Sequence, residues 1–178
     1  MTVRVHRVAS ISLVLLGLLL PVAAQAPLQF PKPVGWVSDF ANIINTNAKE
    51  HLSAVCAELD QKTRAQIAVV TVDTTASTPI GDYAHSLFNK WGIGHKEDDR
   101  GMLVLVARTD HTYYIAVGRG FESLFSNERV AGIGARMIPD LRQGDFDKAL
   151  LHTVDEIAGI IANERRIILK TVTPHSAP

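Results

Sequence analysis

The chain has 178 residues, with 18 lysines and arginines against 18 aspartates and glutamates, and a single cysteine. Balanced charge removes the electrostatic case for binding nucleic acid or anionic lipid, and a lone thiol excludes both an internal disulfide and a cysteine-based metal site. The length suits one domain with a full hydrophobic core.

The front of the chain reads as an export signal. Arg4, His6 and Arg7 form a basic lead, Val8 to Leu20 is apolar, and Ala24-Gln25-Ala26 has the small-x-small pattern of a cleavage site. The apolar run is short for a bilayer span, so a cleaved signal over 1–26 is preferred to an uncleaved N-terminal anchor, and the expected location is exported, periplasmic or secreted. Cleavage removes Arg4 and Arg7 and leaves 16 basic residues against 18 acidic ones.

Residues 27–34 carry Pro27, Pro31 and Pro33 and read as an extended arm leading to a short strand at Gly35-Trp36-Val37. Asn47 followed by Glu50 is a capping box, and Leu52, Val55, Cys56 and Leu59 repeat at helical spacing, which predicts a helix over about 48–63 with Cys56 buried. Gln66 to Val72 is a nearly continuous apolar, β-branched run, as expected of a strand covered on both faces. Thr78 before Pro79 marks a second helix whose stripe is Ile80, Tyr83, Ala84, Leu87, Phe88 and Trp91.

Met102 to Ala107 and Tyr113 to Gly118 read as antiparallel strands joined by the polar loop 108–112. Ser126 caps a third helix carrying Val130, Ile133 and Met137, which Pro139 helps to stop. Asp145 opens the last helix, whose period runs from Phe146 to about Arg166. The order predicts an α/β fold: a single three-layer α/β/α sandwich over 35–166, its mixed sheet including one β-hairpin, with 167–178 a disordered tail.

That hairpin brings chemistry together. Glu97-Asp98-Asp99-Arg100-Gly101 and Gly118-Arg119-Gly120-Phe121-Glu122 sit at its two open ends. With the loop centred on Asp110, opposing residue numbers sum to about 220, so Gly101 faces Arg119 and Asp98 faces Glu122, to within one register step. Asp98, Asp99 and Glu122 then converge, and their mutual repulsion calls for a hard divalent ion, calcium or magnesium, unless Arg100 or Arg119 neutralises them instead. No Gly-x-Ser-x-Gly, Walker or His-Glu-x-x-His segment occurs. Gly118-x-Gly120 is half of a dinucleotide fingerprint, but it ends a hairpin and Ser123 stands where the third glycine belongs, so no nucleotide partner is expected. His95 alone among the histidines lies beside the acidic segment and is a candidate acid or base.

The segments Gly35-Trp36-Val37-Ser38-Asp39-Phe40-Ala41, QIAVVTV, Tyr83-Ala84 to Phe88, Lys90-Trp91-Gly92-Ile93-Gly94, Asp99-Arg100-Gly101, Gly118-Arg119-Gly120-Phe121-Glu122, and Ile138-Pro139 with Gly144-Asp145-Phe146 resemble the TPM domain in order and spacing, over about 34–162. The resemblance implies an exported or lumen-facing sandwich, often tethered near a membrane. Plant members assist photosystem II repair in the thylakoid lumen and are credited with acid phosphatase activity, and some bacterial relatives bind calcium or magnesium at an acidic pocket. By position it implies Asp39, Asp99 and Glu122 as ligands, Asp39 on the family pattern alone. The family commonly has Asn where Ser38 and Arg100 stand, and many members carry a C-terminal anchor not found in this sequence.

Two functions follow as expectations. The preferred one is a cation-binding assembly, repair or interaction module, a monomer that docks a membrane or envelope protein through its pocket rim or the arm before Trp36. The alternative is a slow metal-dependent phosphomonoesterase, with Arg119 holding the non-bridging oxygens and a metal-bound water attacking phosphorus.

Overall fold

In the computed structural model, residues 30–172 are described. The expected signal over 1–26, and 173–178 of the expected tail, lie outside the described residues. Four strands, β1 (Val37–Asp39), β2 (Gln66–Val72), β3 (Gly101–Ala107) and β4 (Thr112–Val117), form one sheet in the order β1-β2-β3-β4. β1, β2 and β3 are parallel and β4 returns antiparallel, so the sheet is mixed and includes the predicted hairpin. Among the described residues, four α-helices pack on it: α1 (Thr46–Thr63), α2 (Ile80–Trp91), α3 (Asn127–Gln143) and α4 (Phe146–Arg165).

The alternation of side chains along each strand divides the interior into two layers. Ile67, Val69, Val104 and Ile115 point toward Leu52, Val55, Cys56 and Leu59 of α1, Ile133 and Met137 of α3, and Leu150, Val154 and Ile157 of α4. Val70, Leu103, Leu105 and Ala116 point the other way, onto Tyr83, Ala84 and Leu87 of α2. β2 and β3 are buried on both faces, which explains their unbroken apolar runs, and each fully buried leucine or isoleucine contributes about 1.5–3 kcal/mol. Burial also pushes the Cys56 thiol up to about 12, consistent with an inert packing role. The steps β1 to β2 and β2 to β3 run in the same direction while α1 and α2 cover opposite faces. The two crossovers therefore have opposite hands, and one of them departs from the usual right-handed rule.

Helix limits correct the sequence reading in two places. Asn45, not Asn47, caps α1: its Oδ1 accepts from the Ala48 N–H at 2.9 Å. Pro139 lies inside α3, which continues to Gln143 and ends on Gly144 in the left-handed conformation at φ 75°. The proline occupies an exposed position, where its missing N–H is tolerated and the helix does not stop. Ser126 and Asp145 cap α3 and α4 as predicted, accepting from Arg129 N–H at 3.4 Å and Lys148 N–H at 3.1 Å.

Both ends of the described chain are anchored. Phe30 stands edge-on to Tyr83 at 5.0 Å, and the Pro31 carbonyl accepts from Trp91 Nε1 at 3.1 Å, so this part of the arm lies on α2. Residues 167–172 differ from the disordered tail expected of them. Leu169 is buried, Lys62 Nζ donates to the Ile168 carbonyl at 2.8 Å, and Glu58 accepts from the Lys170 and Thr171 N–H groups, both at 2.9 Å. Among the described residues, no helix is long and apolar enough to cross a membrane.

Candidate functional site

The β3–β4 register sets where the acidic stretches go. The connection is four residues, 108–111, with His111 left-handed at φ 51° and Thr112 already paired, so Met102 faces Val117 and Gly101 faces Gly118. The register is one residue away from the one centred on Asp110, and the predicted facing of Gly101 with Arg119 is corrected accordingly. Pairing then stops, because Arg119–Phe121 winds into a 3-10 turn in place of continuing the strand. Gly120 N–H donates to the Asp99 carbonyl at 3.2 Å, and a Cβ on Gly120 would collide with the Asp98 carbonyl oxygen. Glycine is what lets the two segments cross at this distance.

Asp99, left-handed at φ 50°, meets Arg119: Nε and Nη2 donate to Oδ2 at 3.0 and 2.6 Å. Asp98 Oδ1 accepts from the Arg100 N–H at 3.3 Å. Arg100 stacks over the Phe121 ring at 4.5 Å and reaches Glu164 of α4 at 3.0 Å, with its Nε buried and unpartnered. Both arginines named as competitors of an ion are thus engaged at or beside this crossing. His95 is held against Asp60 Oδ1 at 2.7 Å and Gln66 Nε2 at 3.4 Å.

Asp39 is elsewhere. It ends β1 opposite Thr71, which itself pairs with Val106, so five residues of β3, about 16 Å of strand, separate its level from that of Gly101. Its carboxylate closes the β1–α1 turn, accepting from Ile43 N–H at 3.1 Å, Ile44 N–H at 3.2 Å and the Thr71 hydroxyl, with Lys49 Nζ at 2.7 Å. Burial works to raise its pKa, but Lys49, Thr71 and the two N–H donors outweigh it and hold the carboxyl below its ordinary value. The expected gathering of Asp39 with Asp98, Asp99 and Glu122 does not occur. Among the described residues, no three His, Cys, Asp or Glu side chains are grouped to hold a metal ion, whereas calcium needs six to eight oxygens, so the residues present do not fit that group.

The 3-10 turn sends Glu122 to a different place, a groove of about 840 Å³ along the outer edge of β4. The groove is walled by Phe125, Ser126, Glu128, Val130 and Gly134 on one side and by Tyr114 with His85 on the other. No lysine or arginine lines it among the described residues. The Gly118 N–H bond to Gly101 at 2.8 Å fixes the alternation of the ladder, so Thr112, Tyr114 and Ala116 turn their backbone groups to β3. Tyr113, Ile115 and Val117 turn theirs to the open edge, where no hydrogen bond engages them among the described residues. The Tyr113 ring lies on Gly134 of α3, where a Cβ would sit 2.6 Å from Cε2. The Tyr114 hydroxyl is 3.1 Å from His85 Nε2. Glu128 is held below its ordinary value by its own N–H and then by the Ser126 hydroxyl, and so stays anionic.

Sequence reasoning missed this groove. The adjacent pair Tyr113-Tyr114 was its one available signal: amphipathic rings on successive strand positions must face opposite layers, which is how they come to flank an edge.

A family model described as the TPM domain matches residues 37–160. Among solved structures, the chain is similar to the N-terminal domain of a protein from P. gingivalis, with TM-score 0.69 and 18% identity, covering 79% of this chain and 87% of that one. It is also similar to the N-terminal domain of the cg2496 protein from Corynebacterium glutamicum, with TM-score 0.59 and 13% identity, covering 87% and 95%. A third likeness is to the BA42 protein of the psychrophilic bacterium Bizionia argentinensis, with TM-score 0.59 and 16% identity, covering 72% and 92%. At these identities the likenesses establish a common fold. No curated protein matches.

Proposed function

The chain belongs to the TPM domain family, and from that premise we propose that it is an exported interaction module that receives an extended, basic segment of an envelope protein along the edge of β4. The observation that carries this reading is the open edge itself. A long unpaired strand edge is ordinarily blunted by lysine, proline or a cover; β4 has neither lysine nor proline, and Tyr113 and Val117 at its edge are half-buried while Ile115 between them is buried. Its outward N–H and C=O groups at Tyr113, Ile115 and Val117 supply the ladder for an added strand, and the flanking groove supplies contacts for alternate side chains. Glu122 and Glu128, with no cation among the lining residues, favour a segment bearing lysine or arginine.

No comparable observation favours the phosphomonoesterase. Arg119, assigned there to phosphate, pairs with Asp99, His95 pairs with Asp60, and among the described residues no group of metal-binding side chains is gathered beside them. A calcium or magnesium ion enters the reading only by displacing Arg119 from Asp99.

The test uses the full chain, isotope-labelled, and a synthetic peptide alternating lysine and valine. Amide shifts confined to 113–117 and 122–131, binding weakened about tenfold in Val117→Pro, and loss of binding in the Glu122→Lys, Glu128→Lys double variant support the proposal. Val117→Pro removes one outward donor at an edge position that tolerates proline. Equal binding of a glutamate-valine peptide, or shifts mapping away from β4, overturns it.

A further inference from the structure

We propose that a second cavity, of about 780 Å³ between the β3–β4 connection and the α3–α4 junction, binds a small amphipathic anion: an apolar body ending in a carboxylate or a phosphate. The site shares only Tyr113 with the β4 groove and has the opposite electrostatic character. Its floor is apolar, from Val106 and Tyr113 of the sheet with Ile138, Leu141 and Phe146 of the helices. Its rim carries Arg108, His111 and Arg142, and no carboxylate lines it. The volume falls in the range of small-molecule sites, about 300–1,000 Å³, and the cavity lies outside the carboxyl end of β3, where open α/β sheets characteristically hold ligands.

Arg142 is the group that gives the site its ligand class. It is exposed, and no hydrogen bond or ion pair engages it among the described residues. Arg108 gives one Nη2 to Asp73 at 2.6 Å and keeps further donors of its fork. Asp110, the remaining acid of the connection, is turned onto Thr74 Oγ1 and Thr75 N–H, both at 2.7 Å. The negative end of α3 is only partly capped, Gly144 N–H bonding the Asp140 and Leu141 carbonyls and Asp145 N–H also bonding Asp140, so the Arg108 and Arg142 guanidiniums have to outweigh the remaining carbonyls for an anion to bind. An arginine fork above an apolar floor selects a planar or tetrahedral anion attached to hydrocarbon.

Octanoate, octyl phosphate and octanol, titrated into the labelled full chain, test this directly. The two anions shift amides of 106–113 and 138–146, octanol binds at least about tenfold more weakly, and Arg142→Glu lowers anion affinity about tenfold. Gln143→Glu, which adds a carboxylate to the same rim while leaving Arg142 in place, lowers it as well. Whichever anion binds tighter assigns the head group. Octanol binding as tightly as octanoate, shifts elsewhere on the molecule, or two folded variants with unchanged affinity overturns the proposal.

Discussion

Arg119 places both Nε and Nη2 on a single oxygen of Asp99, at 3.0 and 2.6 Å, across the crossing of the two glycine-bearing segments. The pair is exposed, with the arginine side chain 84% accessible, so it is worth little in stability and can be exchanged for another cation. Because no further carboxylates are grouped with Asp99, calorimetric titration with calcium is expected to give the same background heats in the wild type and in Arg119→Ala, whose Asp99 is released. Saturable binding in Arg119→Ala alone would restore Asp99 as a ligand.

The same pairing bears on catalysis. Asp99 pairs with an exposed Arg119, Asp60 holds His95, and the described residues gather no metal cluster, so the parts assigned to phosphomonoester hydrolysis are not assembled with one another. Phosphate release from a chromogenic monoester is expected to stay at background, unchanged by EDTA and unchanged in Asp99→Ala. A rate that falls in both EDTA and Asp99→Ala would restore the enzymatic reading.

Elements whose apolar period was long were legible in the sequence: β2, the α2 stripe and α4 all occupy the residues that periodicity assigned. What was not legible depended on distant partners. Asn45 and Asn47 are both reasonable caps locally, and Asn45 is selected because its N–H donates to Asp147 at 2.9 Å, 102 positions away. Residues 167–172 look like a polar tail until Glu58 of α1 is brought beneath them. For the site, the hairpin was legible with its register one residue off, and its two ends do approach at Asp99 and Arg119. The 3-10 turn at 119–121 then diverts Glu122 to the far side of β4, a change of direction that pairing arithmetic does not contain.

Two glycine substitutions should move stability in opposite directions. A helix interior gains up to about 1 kcal/mol when glycine becomes alanine, provided the methyl has room. Around Gly159 of α4 nothing lies within 4 Å of the added Cβ, so Gly159→Ala is expected to stabilise by about 0.5–1 kcal/mol. At Gly134 the methyl meets Tyr113 Cε2 at 2.6 Å, and displacing that ring costs about 1–3 kcal/mol, so Gly134→Ala should be net destabilising. Denaturant midpoints measure both, and a Gly134→Ala protein stabilised as much as Gly159→Ala would mean that Tyr113 does not pack on α3.

Acid should release residues 167–172 before the core yields. The Lys170 N–H, the Lys62 ammonium and Thr171 hold the Glu58 carboxyl at about 2, against an ordinary value of 4.5. A carboxyl depressed on folding contributes stability that is fully present above its unfolded value and is lost as pH falls through the folded one, so the anchoring weakens between pH 4.5 and about 2. The Glu58 contacts hold one short segment to α1, which makes a local readout more informative than global melting. Amide exchange at Lys170 and Thr171, referenced to core amides of β3, should lose protection across that window in the wild type. Glu58→Gln should show low protection already at neutral pH, because an uncharged amide oxygen is a weaker acceptor for two N–H groups and has no attraction for Lys62. Protection that stays constant down to pH 2 in the wild type would show that Leu169 packing, and not the Glu58 carboxylate, holds this segment to α1.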